Sequence, residues 1–311
     1  MLSDKTRLRN GRQLYRLKKL RSLAAVSFLI FAVVISVAVI IRATSGVKNE
    51  KKELLRVWNN EDYEQAYKIS KEALNENPVD YFLLTINGFS AYQLGISQIN
   101  SNSIVMYIDE CIISLRKALL HKEASTDGRI FYVLGKAYSY KGNEYADLAV
   151  KYLEMAKKLS YKAQDINEYL GLAYAACGDY RSSIEAFSGA FSADRPPSDT
   201  LLLSIARSYM AMEDFNMAIG YLNRCVETSP DVKSINIARL LLAEVYKTLG
   251  EHDNAERQYV SIINDSGENA EVRYQLGELY LLKGDAVRAR AEWRVAINQD
   301  PAHIKAKARL N

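Results

Sequence analysis

Hydrophobic and polar positions follow two different rules along this chain. Residues 23–41, LAAVSFLIFAVVISVAVII, form one apolar run without a charge. From about Val47 onward the apolar positions recur three and four residues apart, the spacing that gathers them on one face of a helix. The segment Glu271–His303 shows this most clearly. Leu276, Gly277 and Tyr280 share a face of a first predicted helix, and Ala289, Trp293 and Ala296 share a face of a second. A turn is expected at Gly284–Asp285, and Pro301 closes the unit. Small residues stand where two helices must approach closely, and large ones fill the space beside them.

The same order recurs upstream. Leu134, Gly135 and Tyr138 precede Ala149, Leu153 and Ala156, with two residues inserted at Asn143–Asp147. Leu170, Gly171 and Tyr174 precede Ser183, Phe187 and Ala190, and the unit ends at Arg195-Pro196-Pro197. Ile205, Ala206 and Tyr209 precede Ala218, Leu222 and Cys225; Leu242, Ala243 and Tyr246 precede Ala255, Tyr259 and Ile262. Two earlier units are weaker. One has Ala66, Ser70, Ala73 and Pro78. The next has Gly88 in the close-approach slot and Gly95 in the turn slot, with Cys111, Leu115 and Ala118 arriving late. An insertion near 96–108 is expected there, as an exposed loop or a lengthened helix.

This order of residues, L-G-x2-Y followed by A-x3-F/W-x2-A-x4-P, resembles the tetratricopeptide repeat. One such hairpin cannot bury its own apolar face, so neighbours must stack on it. The expected fold class is all-α: an N-terminal single transmembrane helix followed by a tetratricopeptide helical-hairpin solenoid of about seven repeats. The boundaries read as a basic tail over 1–22, a membrane helix over 23–41, a short linker over 42–46, the solenoid over 47–303 and a closing helix over 304–311. Nineteen residues at helical rise span roughly 28 Å, the thickness of a bilayer's hydrocarbon core. A cleaved signal peptide is the alternative for this run, but its apolar part would be shorter and end in a small-residue site.

Charge sharpens the picture. The net charge is +4, yet residues 1–42 hold nine Lys/Arg against Asp4 alone, leaving 32 basic and 36 acidic residues for the remainder. The body is mildly acidic, which gives no support to nucleic-acid binding. Eight of the basic residues precede the apolar run, so the positive-inside rule places the N-terminus in the cytoplasm and the solenoid outside, in the cytoplasmic (inner) membrane of a bacterium and facing the periplasm if it has one. The three cysteines show no CxxC spacing, and Cys111 and Cys225 occupy small-residue slots. His121, His252 and His303 are far apart, and no nucleophile elbow, phosphate loop or zinc motif occurs. No enzyme, cofactor, metal or small-molecule substrate is expected.

What remains is a surface. The resemblance implies a concave groove lined by the first helix of each unit. Transferred by position, its residues are Phe82, Phe89, Arg129, Tyr132, Lys136 and Tyr140, then Asp165, Leu172 and Arg207, then Glu244, Lys247, Glu271, Tyr274 and Glu278. The middle would be basic and aromatic and the C-terminal end acidic. The Lys/Asn set with which some relatives clamp a C-terminal carboxylate is not present at the corresponding slots. The implied function is a membrane-anchored extracytoplasmic scaffold that binds other proteins of an envelope complex, such as a secretion, pilus or periplasmic flagellar-motor assembly. The alternatives are a chaperone-like holdase at the translocon and a regulatory subunit of an envelope enzyme.

Overall fold

The computed structural model describes residues 51–191, 196–267 and 269–310. The expected membrane helix over 23–41 and its basic tail lie outside the described residues. Among those described, no helix is long and apolar enough to cross a membrane.

Fifteen α-helices and no strand are found in the described residues. They are α1 over 51–59, α2 (Tyr63–Glu76), α3 (Tyr81–Ile96), α4 (Ser101–Ala118), α5 (Gly128–Lys141), α6 (Ala146–Lys158), α7 (Ile166–Ala176) and α8 (Tyr180–Ser188). The series continues with α9 (Asp199–Ala211), α10 (Phe215–Thr228), α11 (Val232–Thr248), α12 (His252–Ser266), α13 (Ala270–Leu282), α14 (Ala286–Gln299) and α15 (Ile304–Leu310). Each odd-numbered helix from α3 to α13 packs against the helix that follows it, and each of those packs against the next pair. At the N-terminal end, Leu54 and Val57 of α1 cluster with Ala66 of α2 and with Leu83 and Ile86 of α3. The result is a row of helical hairpins whose core runs along the row, as expected when no single hairpin can close its own apolar face.

Close approach within a hairpin depends on the small slot of its first helix. A Cβ built on Gly171 would lie 2.4 Å from the Phe187 ring, and one on Gly277 would lie 2.5 Å from the Trp293 indole. Gly135 against Leu153 and Gly88 against Leu115 are equally tight. The facing Ala149, Ala218, Ala255 and Ala289 are fully buried, as are Cys111 and Cys225.

Turns repeat as faithfully. Glu61, Gly178, Glu213, Gly250 and Gly284 all adopt positive φ, between 60° and 79°. In each case the next residue's N–H donates back five positions, for example Asp285 to the Tyr280 carbonyl at 2.8 Å and Asp214 to the Tyr209 carbonyl at 3.0 Å. This closes the first helix with a left-handed cap. The following aspartate then caps the second helix: Asp62, Asp179, Asp214 and Asp285 each accept from the N–H three residues on.

One expectation for a turn fails. Gly95 is not a turn residue; it lies inside α3, buried, where a Cβ would meet Ile108 at 3.1 Å. The residues inserted near 96–108 lengthen α3 and α4, so this hairpin reaches beyond its neighbours. The turn slips to 97–100, and Asn100 caps α4 by accepting from Asn102 and Ser103. Ser70, in the slot that elsewhere holds a large residue, is compensated by polar contacts. Asn87 donates to Ser70 at 3.2 Å and accepts from Ser114 at 2.8 Å, linking α2, α3 and α4.

Candidate functional site

The first helices of successive hairpins, α1, α3 and α5, leave a cavity of about 520 Å³ between them. Its wall is largely aromatic: Trp58 from α1, Tyr81, Phe82, Phe89 and Tyr92 from α3, Tyr132 from α5, and Tyr161 from the loop after α6. Helical spacing explains the alignment, because Phe82, Phe89 and Tyr92 lie on one face of α3. Phe89 is buried and forms part of the floor, with its ring centroid 6.1 Å from that of Trp58. Arg129 and Lys136 are the charged residues in the lining.

These cations carry less open charge than their types suggest. Arg129 forms a two-pronged contact with Asp127, Nε to Oδ1 at 2.9 Å and Nη2 to Oδ2 at 2.7 Å. Lys136 was expected to present its charge to the groove, but its side chain is only 12% exposed. Its Nζ donates to Asp165 at 2.8 Å and sits 4.5 Å from the centre of the Tyr169 ring and 5.1 Å from that of Tyr132. The Tyr132 hydroxyl donates to the other Asp165 oxygen at 2.5 Å. Burial pushes the Asp165 carboxyl upward, but the hydrogen bonds from Lys136 and Tyr132 outweigh it and leave the group below its usual range. Burial, followed by the bond to Asp165, raises the Tyr132 phenol. The middle of the groove is therefore aromatic and internally neutralised.

Tyr140, one turn beyond Lys136 on α5, is exposed with its ring edge-on to Tyr92 and borders a separate dent of about 220 Å³. Tyr140, Tyr169 and Leu172 rim that dent, and Ala146, Ala149, Ala173 and Ala176 line it. Arg207 and Glu244 are exposed on α9 and α11 and are not drawn into either cavity.

At the C-terminal end the acidic residues are engaged by the chain itself. Arg309 on α15 grips Glu278, with Nε to Oε1 at 2.9 Å and Nη2 to Oε2 at 2.5 Å. Lys305 lies 3.7 Å from Glu271 and 5.9 Å from the centre of the Tyr274 ring. His303 Nδ1 accepts from the Ala306 N–H, capping α15, and its ring packs 5.2 Å from that of Tyr274. The groove's acidic end is thus covered by a basic helix. Lys247, Tyr274 and Glu278 border a concavity there together with Lys305 and Arg309.

The sequence pattern located Phe82, Phe89, Arg129, Tyr132 and Lys136, which the fold gathers around one cavity. It missed Trp58, Tyr81, Tyr92, Tyr161 and Tyr169. Tyr92 sits one helical turn beyond Gly88, so repeat spacing alone carried a signal for it. Tyr161 comes from an inter-helix loop, which no periodicity reaches.

Comparison with known proteins agrees with this architecture. The family model for the tetratricopeptide repeat matches residues 200–232, the α9–α10 hairpin. No curated protein sequence matches the chain. Among solved structures, the C-terminal part of a tetratricopeptide repeat-containing protein from Cytophaga hutchinsonii superposes with a TM-score of 0.61 at 15% identity, covering 84% of this chain and 99% of that one. PilW, a type IV pilus biogenesis factor, superposes with a TM-score of 0.55 at 16% identity, covering 72% of this chain and 98% of PilW. A tetratricopeptide repeat protein from Parabacteroides merdae gives 0.50 at 18% identity, covering 84% and 98%. The family match lies within one hairpin, and what the whole row shares with these solved structures is its fold, a row of stacked helical hairpins.

Proposed function

We propose that this protein is a membrane-anchored scaffold that holds a partner in its concave groove and helps assemble a complex in the cell envelope. The partner-binding half of the reading rests on the aromatic cavity between α1, α3 and α5, a concave and mostly apolar surface of the kind that binds ligands. Tyr, Trp and Arg, which line it, are the residue types that carry most energy at recognition surfaces. The anchoring half rests on the uncharged run at 23–41 and the eight basic residues before it. Confinement to a membrane raises the effective concentration of such a scaffold near other membrane proteins. PilW, which shares the fold, is named for a role in pilus biogenesis, and envelope assembly is the same class of role.

In-cell cross-linking tests this reading. A photo-reactive residue replaces Gln93, at the cavity wall, and a control replaces Lys157, exposed on α6. One or two dominant adducts, specific to position 93 and belonging to one envelope complex, are expected. A broad set of unrelated exported proteins would instead make the protein a holdase. Adducts with cytoplasmic proteins alone would overturn the envelope assignment.

A further inference from the structure

The α1–α3–α5 cavity differs from the rest of the groove in its chemistry, and that difference narrows the partner. Its aromatic wall is bordered by two cations, while no carboxylate lines it; Asp127 and Asp165, the partners of Arg129 and Lys136, are not part of the lining. Lys136 is enclosed by tyrosine rings and committed to Asp165. Arg129 is different. Its side chain is 62% exposed, it lines the cavity, and it gives Nε and Nη2 to Asp127, which leaves the Nη1 donors outside that contact. A guanidinium carries five donors, and a second carboxylate can be bound without displacing the first.

The volume, about 520 Å³, falls within the roughly 300–1,000 Å³ range of ligand pockets and exceeds what one ring needs. It takes a bulky side chain together with adjoining backbone. A second hollow lies beside Tyr140, whose ring meets that of Tyr92 on the cavity wall, and two neighbouring hollows suit a linear chain segment. Resting on the groove reading above, we propose that the cavity anchors a linear segment of a partner protein in which a large aromatic or aliphatic residue adjoins an aspartate or glutamate. The ring or alkyl group enters between Trp58, Phe82 and Phe89, and the neighbouring carboxylate meets Nη1 of Arg129. Flanking lysines or arginines would find no carboxylate on the wall to receive them and be disfavoured.

The test begins with a random twelve-residue peptide library displayed against the immobilised full chain. Selected peptides are then titrated in solution, with Trp58 as reporter. The chain has two tryptophans, and Trp293→Phe leaves Trp58 as the single emitter, on the cavity wall. Selected sequences are expected to pair an aromatic or large aliphatic residue with an acidic neighbour and to shift Trp58 emission. Gln93→Phe, which narrows the cavity from a half-buried position, should weaken binding at least tenfold. Arg129→Glu should invert the flank preference from acidic to basic; it loses the exposed pair with Asp127 but keeps the residue-129 N–H that Asp127 caps, and a circular-dichroism melt checks that the array stays folded. Peptides that bind with unchanged affinity to both variants, or that carry basic flanks, would overturn the anchor site while leaving a partner-binding groove elsewhere on the array. If the library yields no binder, the anchor site falls. If position 93 also gives no adduct in cells, the groove reading falls with it.

Discussion

Lys136 shows how much of a site's meaning sits below the level of a residue list. Its offset in the repeat pointed to the groove, and the fold sets it on the wall of the cavity between α1, α3 and α5. The sequence did not show that Asp165, arriving from the loop between α6 and α7, would take its charge, because that pairing depends on a loop conformation that periodicity does not encode. The pair is 12% and 37% exposed at its lysine and aspartate side chains. Asp165→Asn therefore leaves a largely enclosed ammonium without a counter-charge. Fully buried pairs broken in this way lose 3–5 kcal/mol, and the partial exposure of Asp165 brings the expected loss down to about 1–3 kcal/mol. Lys136→Met combined with Asp165→Asn should recover most of it, as measured by denaturant unfolding. The acid limb supplies a second check. Asp165 is held below its usual range in the folded protein, so its contribution is present above the unfolded value and lost as pH falls through the folded one. Wild type should lose this share of stability from about pH 4 downward, whereas the double variant should lack it.

At the scale of the helix and its turn, the sequence was legible wherever glycine marks the left-handed cap. Gly178, Gly250 and Gly284 sit at the predicted hairpin turns and adopt φ of 71–79° together with Gly267, which follows α12. Two equivalent turns were hidden because Glu61 and Glu213 hold the same conformation at φ of 60°. Gly95 misled for the opposite reason. It matches the turn spacing, yet the chain continues as helix, and Ile108 of the lengthened α4 packs so closely against it that a Cβ would be tight at 3.1 Å. Conformational cost converts this contrast into a test. A residue with a Cβ in the left-handed region costs about 1–2 kcal/mol, partly offset by the entropy glycine loses on folding. Glu213→Gly should accordingly stabilise the array by roughly 0.5–1 kcal/mol. Gly284→Ala, with nothing near the added Cβ, should destabilise it by about 1 kcal/mol through backbone strain alone. Both shifts are read as denaturation midpoints, and equal midpoints for Glu213→Gly and wild type would mean that Glu213 gains a compensating interaction in the turn.

For the molecule as a whole, repetition made the array readable: close-approach slots, tyrosine slots and turns all recur, and each recurrence reinforces the others. What does not recur was not readable. The closing helix α15 was placed by its position at the end of the row, but its grip on the acidic end of the groove through Arg309 and Glu278 is set by three-dimensional docking. The side of the membrane that the array faces is likewise a property of the whole molecule, and the chain carries its own reporter for it. Cys177 is exposed, while Cys111 and Cys225 are fully buried. Burial, then the nearby Asp147 and Asp179, raise the Cys177 thiol, so labelling at neutral pH, where the reagent is selective for thiols, is slow and needs a long exposure. A membrane-impermeant maleimide, applied to cells with an opened outer barrier and a sealed cytoplasmic membrane, should modify the wild-type protein and leave Cys177→Ser unmodified. Labelling that appears only after detergent lysis would place the array in the cytoplasm. The positive-inside reading of residues 1–22 would then be wrong, and the envelope partner would have to be sought on the other side of the bilayer.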